Sequence, residues 1–137
     1  MKNTIFVDTV AWLALVNKSE DLHDAARAVR DQLIQQKVKL ITSDFVVVEI
    51  ANSLARLPLR GVALKLIDFI RSSDTVELIT ITPELFENAY QLYCSRDDKE
   101  WGFTDCTSFV VMKKRRITRA FTADRHFEQA GFSTLLK

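Results

Sequence analysis

Four carboxylates in this chain could act together: Asp8, Glu49, Asp105 and Asp124. Each is embedded in apolar sequence: Ile5-Phe6-Val7-Asp8-Thr9, Val46-Val47-Val48-Glu49-Ile50, Phe103-Thr104-Asp105-Cys106 and Ala120-Phe121-Thr122-Ala123-Asp124. An acid among core-forming residues is costly unless something pairs with it. Four meeting at one spot would repel, and a divalent cation relieves that repulsion. Oxygen ligands with no thiolate or imidazole beside them select a hard cation such as Mg2+, which keeps several waters and takes one or two carboxylates directly. Such an ion suits phosphate chemistry: it polarises a phosphoryl oxygen, lowers the pKa of a bound water and steadies the leaving oxygen. Arg125 or Lys113 could then hold a nucleic-acid backbone, and the hydroxyls of Thr9, Thr104 and Ser108 could orient waters or the acids.

Each acid also has a plain structural role open to it. Asp8 and Asp124 can cap helices, and Asp105 suits the first turn of one. Glu49 sits mid-helix and cannot cap, so its structural alternative is a buried pairing with an arginine. What separates the two readings is placement: independent caps need not share one edge of a sheet, whereas a metal site must.

The elements that would position the acids alternate along the chain. Thr4 to Val7 reads as a buried strand, and Val10 to Val16 as a short helix capped by Asp8 or Thr9. His23 to Gln36 carries an apolar stripe at helical spacing (Ala25, Ala26, Val29, Leu33). Val38 to Thr42 is a second strand. Ser43-Asp44 opens a helix that runs to Arg56 ahead of Pro58, despite the strand propensity of Val46-Val47-Val48. Gly61 to Ser72 is a further helix and Val76 to Ile81 a strand. Pro83 opens a helix, and Ser95 to Gly102 is a charged loop. Thr104 caps a helix running to about Lys114. Arg119 to Thr122 is a strand, Arg125 to Ala130 a short helix and Ser133 to Leu136 a last strand. This alternation predicts an α/β fold with a mainly parallel sheet between helices. Ligands of such sheets bind beyond the strands' carboxyl ends, where strand order reverses. Asp8 and Asp124 follow strands and land on that edge.

The length of 137 residues predicts one domain over 1–137, and 47% hydrophobic residues are enough to build its core. Three glycines and two prolines exclude a linker or a low-complexity chain. A net charge of +1 means that any nucleic-acid affinity must come from local clustering. The densest basic run, Lys113-Lys114-Arg115-Arg116, reads as a helix C-terminus that complements the macrodipole, or as a phosphate-contacting rim. Cys94 and Cys106 form no CxxC motif, which argues against zinc. His23 and His126 read as surface or internally satisfied histidines. Lys2 ahead of the Ile5 to Val16 run faintly resembles a leader, but Asp8 breaks the run and no small-residue cleavage pattern follows. No uncharged stretch approaches the ~18 residues of a membrane span. A soluble, cytoplasmic protein is expected.

At the four acids the sequence resembles the PIN-domain proteins. It is most similar to the small single-domain ribonucleases that include the VapC toxins of VapBC-type toxin–antitoxin pairs. The pieces that carry the resemblance are Phe6-Val7-Asp8-Thr9-Val10-Ala11-Trp12, Thr42 to Asn52 around Glu49, Thr104-Asp105-Cys106-Thr107-Ser108-Phe109 and Ala120 to Phe127 around Asp124. Each alone is weak; four in order span essentially the whole chain. The resemblance implies a three-layer α/β/α fold with a five-stranded parallel sheet. It implies Mg2+ or Mn2+ in an acidic pocket and endonucleolytic cleavage of single-stranded RNA. It maps the acidic positions onto Asp8, Glu49, Asp105 and Asp124, and the polar helper onto Thr104. A cognate antitoxin and a homodimer are implied partners. Gly102-Phe103 departs from the small hydroxyl and aliphatic residues that relatives often carry there, which bears on a secondary polar contact and not on the acids. Asp97 and Asp98 read as solvated.

Two other functions fit acids at a sheet edge. A phosphoryl-accepting receiver domain would need an acidic pair at the first strand's end and a lysine, and offers only Asp8 and Lys137. A PIN-like binding module with an idle pocket would bind metal without turnover. A phosphatase with two aspartates flanking one residue is disfavoured by Val10.

Overall fold

The computed structural model describes residues 3–136. Lys2, which gives the leader-like start, and Lys137, the receiver reading's lysine, lie outside the described residues. The core strand β1 (Thr4–Val7) pairs on one side with β2 (Lys39–Ser43) and on the other with β4 (Arg119–Phe121). β3 (Val76–Ile79) extends the sheet beyond β2, and β5 (Ser133–Thr134) beyond β4. All pairings are parallel and the order is β3-β2-β1-β4-β5. Ile5, Phe6 and Val7 are all fully buried, as expected for a parallel strand covered on both faces. The order reverses between β1 and β4, which is where a ligand crevice forms. A receiver domain's 2-1-3-4-5 order is different, so the receiver alternative falls.

Four helices lie in the crossovers from β1 through β2 to β3: α1 (Thr9–Val16), α2 (His23–Gln35), α3 (Asp44–Ser53) and α4 (Leu57–Ser72). The return to β4 and β5 runs through α5 (Pro83–Ser95), α6 (Phe103–Arg115) and α7 (Arg125–Gln129). Right-handed crossovers place the two groups on opposite faces. α1 packs on α2 and α4, and α6 packs on α5 and α7. Phe109 of α6 anchors the second group through edge-on contacts with Trp101 and Phe127, ring centroids 5.0 and 4.9 Å away.

Local chemistry sets the boundaries, and in places moves them from the sequence expectation. Ser43 caps α3 by accepting from Val46 N at 3.2 Å, so the three valines are helical. α3 stops at Ser53, and α4 begins at Leu57 rather than Gly61. Pro58 lies in the first turn of α4, where no N–H is needed, instead of following the end of α3. β3 ends at Ile79 because Ile81 N turns to donate to Asp44 Oδ1 at 3.1 Å. α6 is capped by Gly102 and not by Thr104: Asp105 Oδ2 reaches back to accept from Gly102 N at 3.1 Å. Thr104 therefore sits inside the first turn.

Candidate metal centre

The ends of β1 and β4 are neighbours in register, Val7 beside Phe121. The residues that follow them continue the contact. Asp8 N donates to Phe121 O at 3.2 Å. The Thr122 hydroxyl donates to Asp8 Oδ2 at 3.0 Å and accepts from Asp124 N at 3.1 Å. Asp124 Oδ1 accepts from His126 N at 2.9 Å, which caps α7. One buried threonine thus ties the acid of one strand to the acid of the next.

Asp105 arrives from α6. His126 Nδ1 lies 3.0 Å from Asp105 Oδ2 and 3.4 Å from Asp124 Oδ1. Glu49 is held from α3, its Oε1 accepting from the Thr9 hydroxyl at 2.7 Å. The buried Asp8 therefore has Glu49 tethered to the residue that follows it, and Thr122 bonded to its own carboxylate.

The electrostatics reflect the crowding. Burial, reinforced by the charges of Asp105 and Asp124, pushes the Asp8 carboxyl up to about 7, against the opposing pull of the Thr9 N–H and the Thr122 hydroxyl. Asp105 is raised too, by burial first and by Asp124, while the Gly102 N–H and His126 lower it. Two raised carboxyls, with the Asp124 charge acting on both and a glutamate beside them, are what a divalent cation relieves. A ligand atom from each of Asp105, Asp124 and His126 lies within 4.8 Å of the others. Ligands of an octahedral ion stand about 2.9 Å apart when adjacent and about 4.2 Å when opposed, and His126 Nδ1, at 3.0 Å from Asp105 and 3.4 Å from Asp124, falls in that range for both carboxylates. Ser108 Oγ, buried on α6 one turn beyond Thr104 and Asp105, has no hydrogen-bond partner among the described residues. A buried hydroxyl of this kind calls for a water, as the hydration shell of a hard ion supplies. The donor set fits a divalent cation.

The structure thus brings Asp8, Asp105 and Asp124 together and tethers Glu49 beside them. Thr104 lies on the first turn of α6 next to Asp105, its carbonyl accepting from the Thr107 hydroxyl at 2.6 Å. Lys113 is not at the site: eight residues along α6 from Asp105, it lies about 12 Å away along the helix axis. The basic run serves the helix end, with Arg115 paired to Glu77 at 2.8 Å and Lys114 to Glu84 at 3.8 Å. Asp98 is solvated and pairs with Arg96 at 3.0 Å, and Asp97 is exposed. His23 is internally satisfied by Ala14 O at 2.7 Å. His126 is likewise satisfied within the chain, but its partner is an acid of the site, Asp105 Oδ2 at 3.0 Å, so an imidazole stands beside the carboxylates where the sequence reading expected none. A histidine two residues after a capping aspartate was the available signal. Thr122 was missed as well, although it sits two residues before Asp124 at the end of a buried strand.

The PIN domain family matches this chain over residues 5–133. The 23S rRNA-specific endonuclease VapC20 of Mycobacterium tuberculosis is 34% identical over 128 residues, covering 93% of this chain and 95% of that protein. The crystal structure of VapC20, described as a Sarcin-Ricin loop cleaving toxin, superposes with a TM-score of 0.86 at 33% identity, over 97% of this chain and 99% of that one. VapBC2 from Rickettsia felis, bound to a DNA fragment from its promoter, shares the fold at 13% identity, with a TM-score of 0.71 and 96% of each chain covered.

Proposed function

Since the chain belongs to the PIN-domain family, we propose that it is a divalent-metal-dependent endoribonuclease, a single domain over 1–137, acting as the toxin of a VapBC-type pair. The observation that carries this reading is the convergence of Asp8, Asp105 and Asp124 where strand order reverses. Asp8, Glu49, Asp105 and Asp124 would hold the ion, Mg2+ or Mn2+. When bound, the ion supplies Lewis acidity at a phosphoryl oxygen and a water of lowered pKa. The chain's own residues do the rest. Thr122 holds one oxygen of Asp8 so that the other is free to ligate. Thr9 aims Glu49. Thr104 and Ser108 offer hydroxyls to waters, and the exposed Arg125, next to Asp124, faces the backbone of a bound strand. The substrate is single-stranded RNA, and a ribosomal RNA loop of the kind that VapC20 cuts is the first to try.

Partners follow from the same reading. A toxin requires a neutralising protein. An apolar groove of about 830 Å3 between α2 and α4, lined by Trp12, Leu15, Leu33, Val62, Leu66 and Phe69, offers a seat for its apolar segment. None of the four acids lines that groove. A second copy of the chain would cover a separate face, where Val48 of α3 and Phe86, Tyr90 and Tyr93 of α5 stand 45–56% exposed. Among the described residues no helix is long and apolar enough to cross a membrane, and we place the activity in the cytoplasm. The test is cleavage of an RNA loop with Mg2+ or Mn2+ added, repeated in excess chelator and with Asp8→Asn. Activity is expected only in the first case. Full turnover by the folded variant would falsify the reading.

A further inference from the structure

We propose that His126 is a nitrogen ligand of the bound ion, and that it shifts the centre's preference from Mg2+ toward first-row transition ions such as Mn2+. The inference rests on the metal-dependent reading above and deepens it. Imidazole nitrogen adds little to Mg2+ binding, whereas transition ions gain from it.

The distances support direct ligation. His126 Nδ1 is 3.0 Å from Asp105 Oδ2 and 3.4 Å from Asp124 Oδ1. Adjacent ligands of an octahedral ion with bonds of 2.0–2.1 Å stand about 2.9 Å apart, and slightly longer bonds widen this to about 3.1 Å. The nitrogen and the Asp105 oxygen therefore already have the separation of neighbouring ligands, without backbone movement. The ring is also held in place. The His126 backbone N–H bonds to Asp124 Oδ1, and the next residue, Phe127, is fully buried against Phe109 and Phe6, with ring centroids 4.9 and 6.5 Å away. α7 cannot turn the imidazole away without unpacking Phe127.

The competing role is orientation alone, with Nδ1–H donating to Asp105. Two variants separate the roles. His126→Asn retains an N–H donor but no imidazole, and His126→Gln moves the amide further out. Mn2+ serves as the probe, read by electron spin echo modulation for 14N coupling and by titration calorimetry for the Mg2+/Mn2+ affinity ratio. Ligation predicts imidazole 14N coupling in the wild type, its loss in both variants and a fall in Mn2+ preference of about tenfold or more, with the circular dichroism spectrum unchanged. Mn2+ that binds the wild type without 14N coupling, or His126→Asn keeping the wild-type preference, overturns the ligand role and leaves the nuclease reading standing. Absence of any Mg2+ or Mn2+ binding overturns both.

Discussion

The hydroxyl of Thr9 and the carboxylate of Glu49 are 2.7 Å apart, forty residues distant in sequence. The residue that follows the most buried acid thus holds the acid that comes from α3, so the first turn of α1 and the middle of α3 act as one unit. Thr9→Val keeps the shape and removes the donor. Single-turnover RNA cleavage is expected to fall about tenfold, with stability lowered by roughly 1 kcal/mol, and Thr9→Ser should restore both. Unchanged cleavage by Thr9→Val would show that Glu49 needs no tether.

Thr122 is fully buried between Asp8 and Asp124. Thr122→Val leaves Asp8 Oδ2 without its donor and the Asp124 N–H without its acceptor. Urea denaturation should register a loss of roughly 1–3 kcal/mol, and Mn2+ affinity should fall with it. Thr122→Ser should behave as the wild type. A valine variant of wild-type stability would contradict the bridging role.

Asp8 predicts a pH dependence of stability. Its folded value of about 7 lies above the ordinary 3.8. Between those values the folded state binds more protons than the unfolded state, so stability falls as pH rises and levels off above about 7. In chelator, melting should be higher at pH 5 than at pH 8, by a contribution on the order of 3 kcal/mol at most, since about two pH units of the shift lie above pH 5. Asp8→Asn should remove that contribution. Added Mn2+ should raise the melting temperature more at pH 8 than at pH 5, because protons compete for the same carboxylates. A melting temperature that rises from pH 5 to pH 8 in chelator, and loses that rise in Asp8→Asn, would contradict the raised carboxyl.

The aromatic face of α5 predicts an oligomeric state. Phe86 packs on Phe103 with ring centroids 4.9 Å apart, yet remains 45% exposed. If a second copy covers it, Phe86→Lys should convert a dimer to a monomer by analytical ultracentrifugation. A monomeric wild type would remove the proposal.

Much of the architecture was legible in the chain because periodicity is local. The buried run Ile5-Phe6-Val7, the stripe of α2, the cap Ser43 and the opening Pro83 of α5 mark their own elements. Boundaries were less legible where a distant partner sets them. Asp44 ends β3 by taking the Ile81 N–H, and Asp105 moves the start of α6 to Phe103. Pro58 can be read as a stop or a start, and only the packing of α4 decided for a start.

The same division runs through the site. The types of the four acids, their apolar surroundings and the strands that precede Asp8 and Asp124 are written in the sequence, since backbone propensity and hydrophobic burial act over a few residues. Which groups meet was decided by the tertiary structure. The β1–β4 pairing joins segments more than a hundred residues apart. It places Thr122 under Asp8, and the turn that Asp124 caps brings His126 against Asp105. Hydrogen bonds and charge coupling act through space at a few ångströms, and no spacing along the chain encodes them until the sheet has formed.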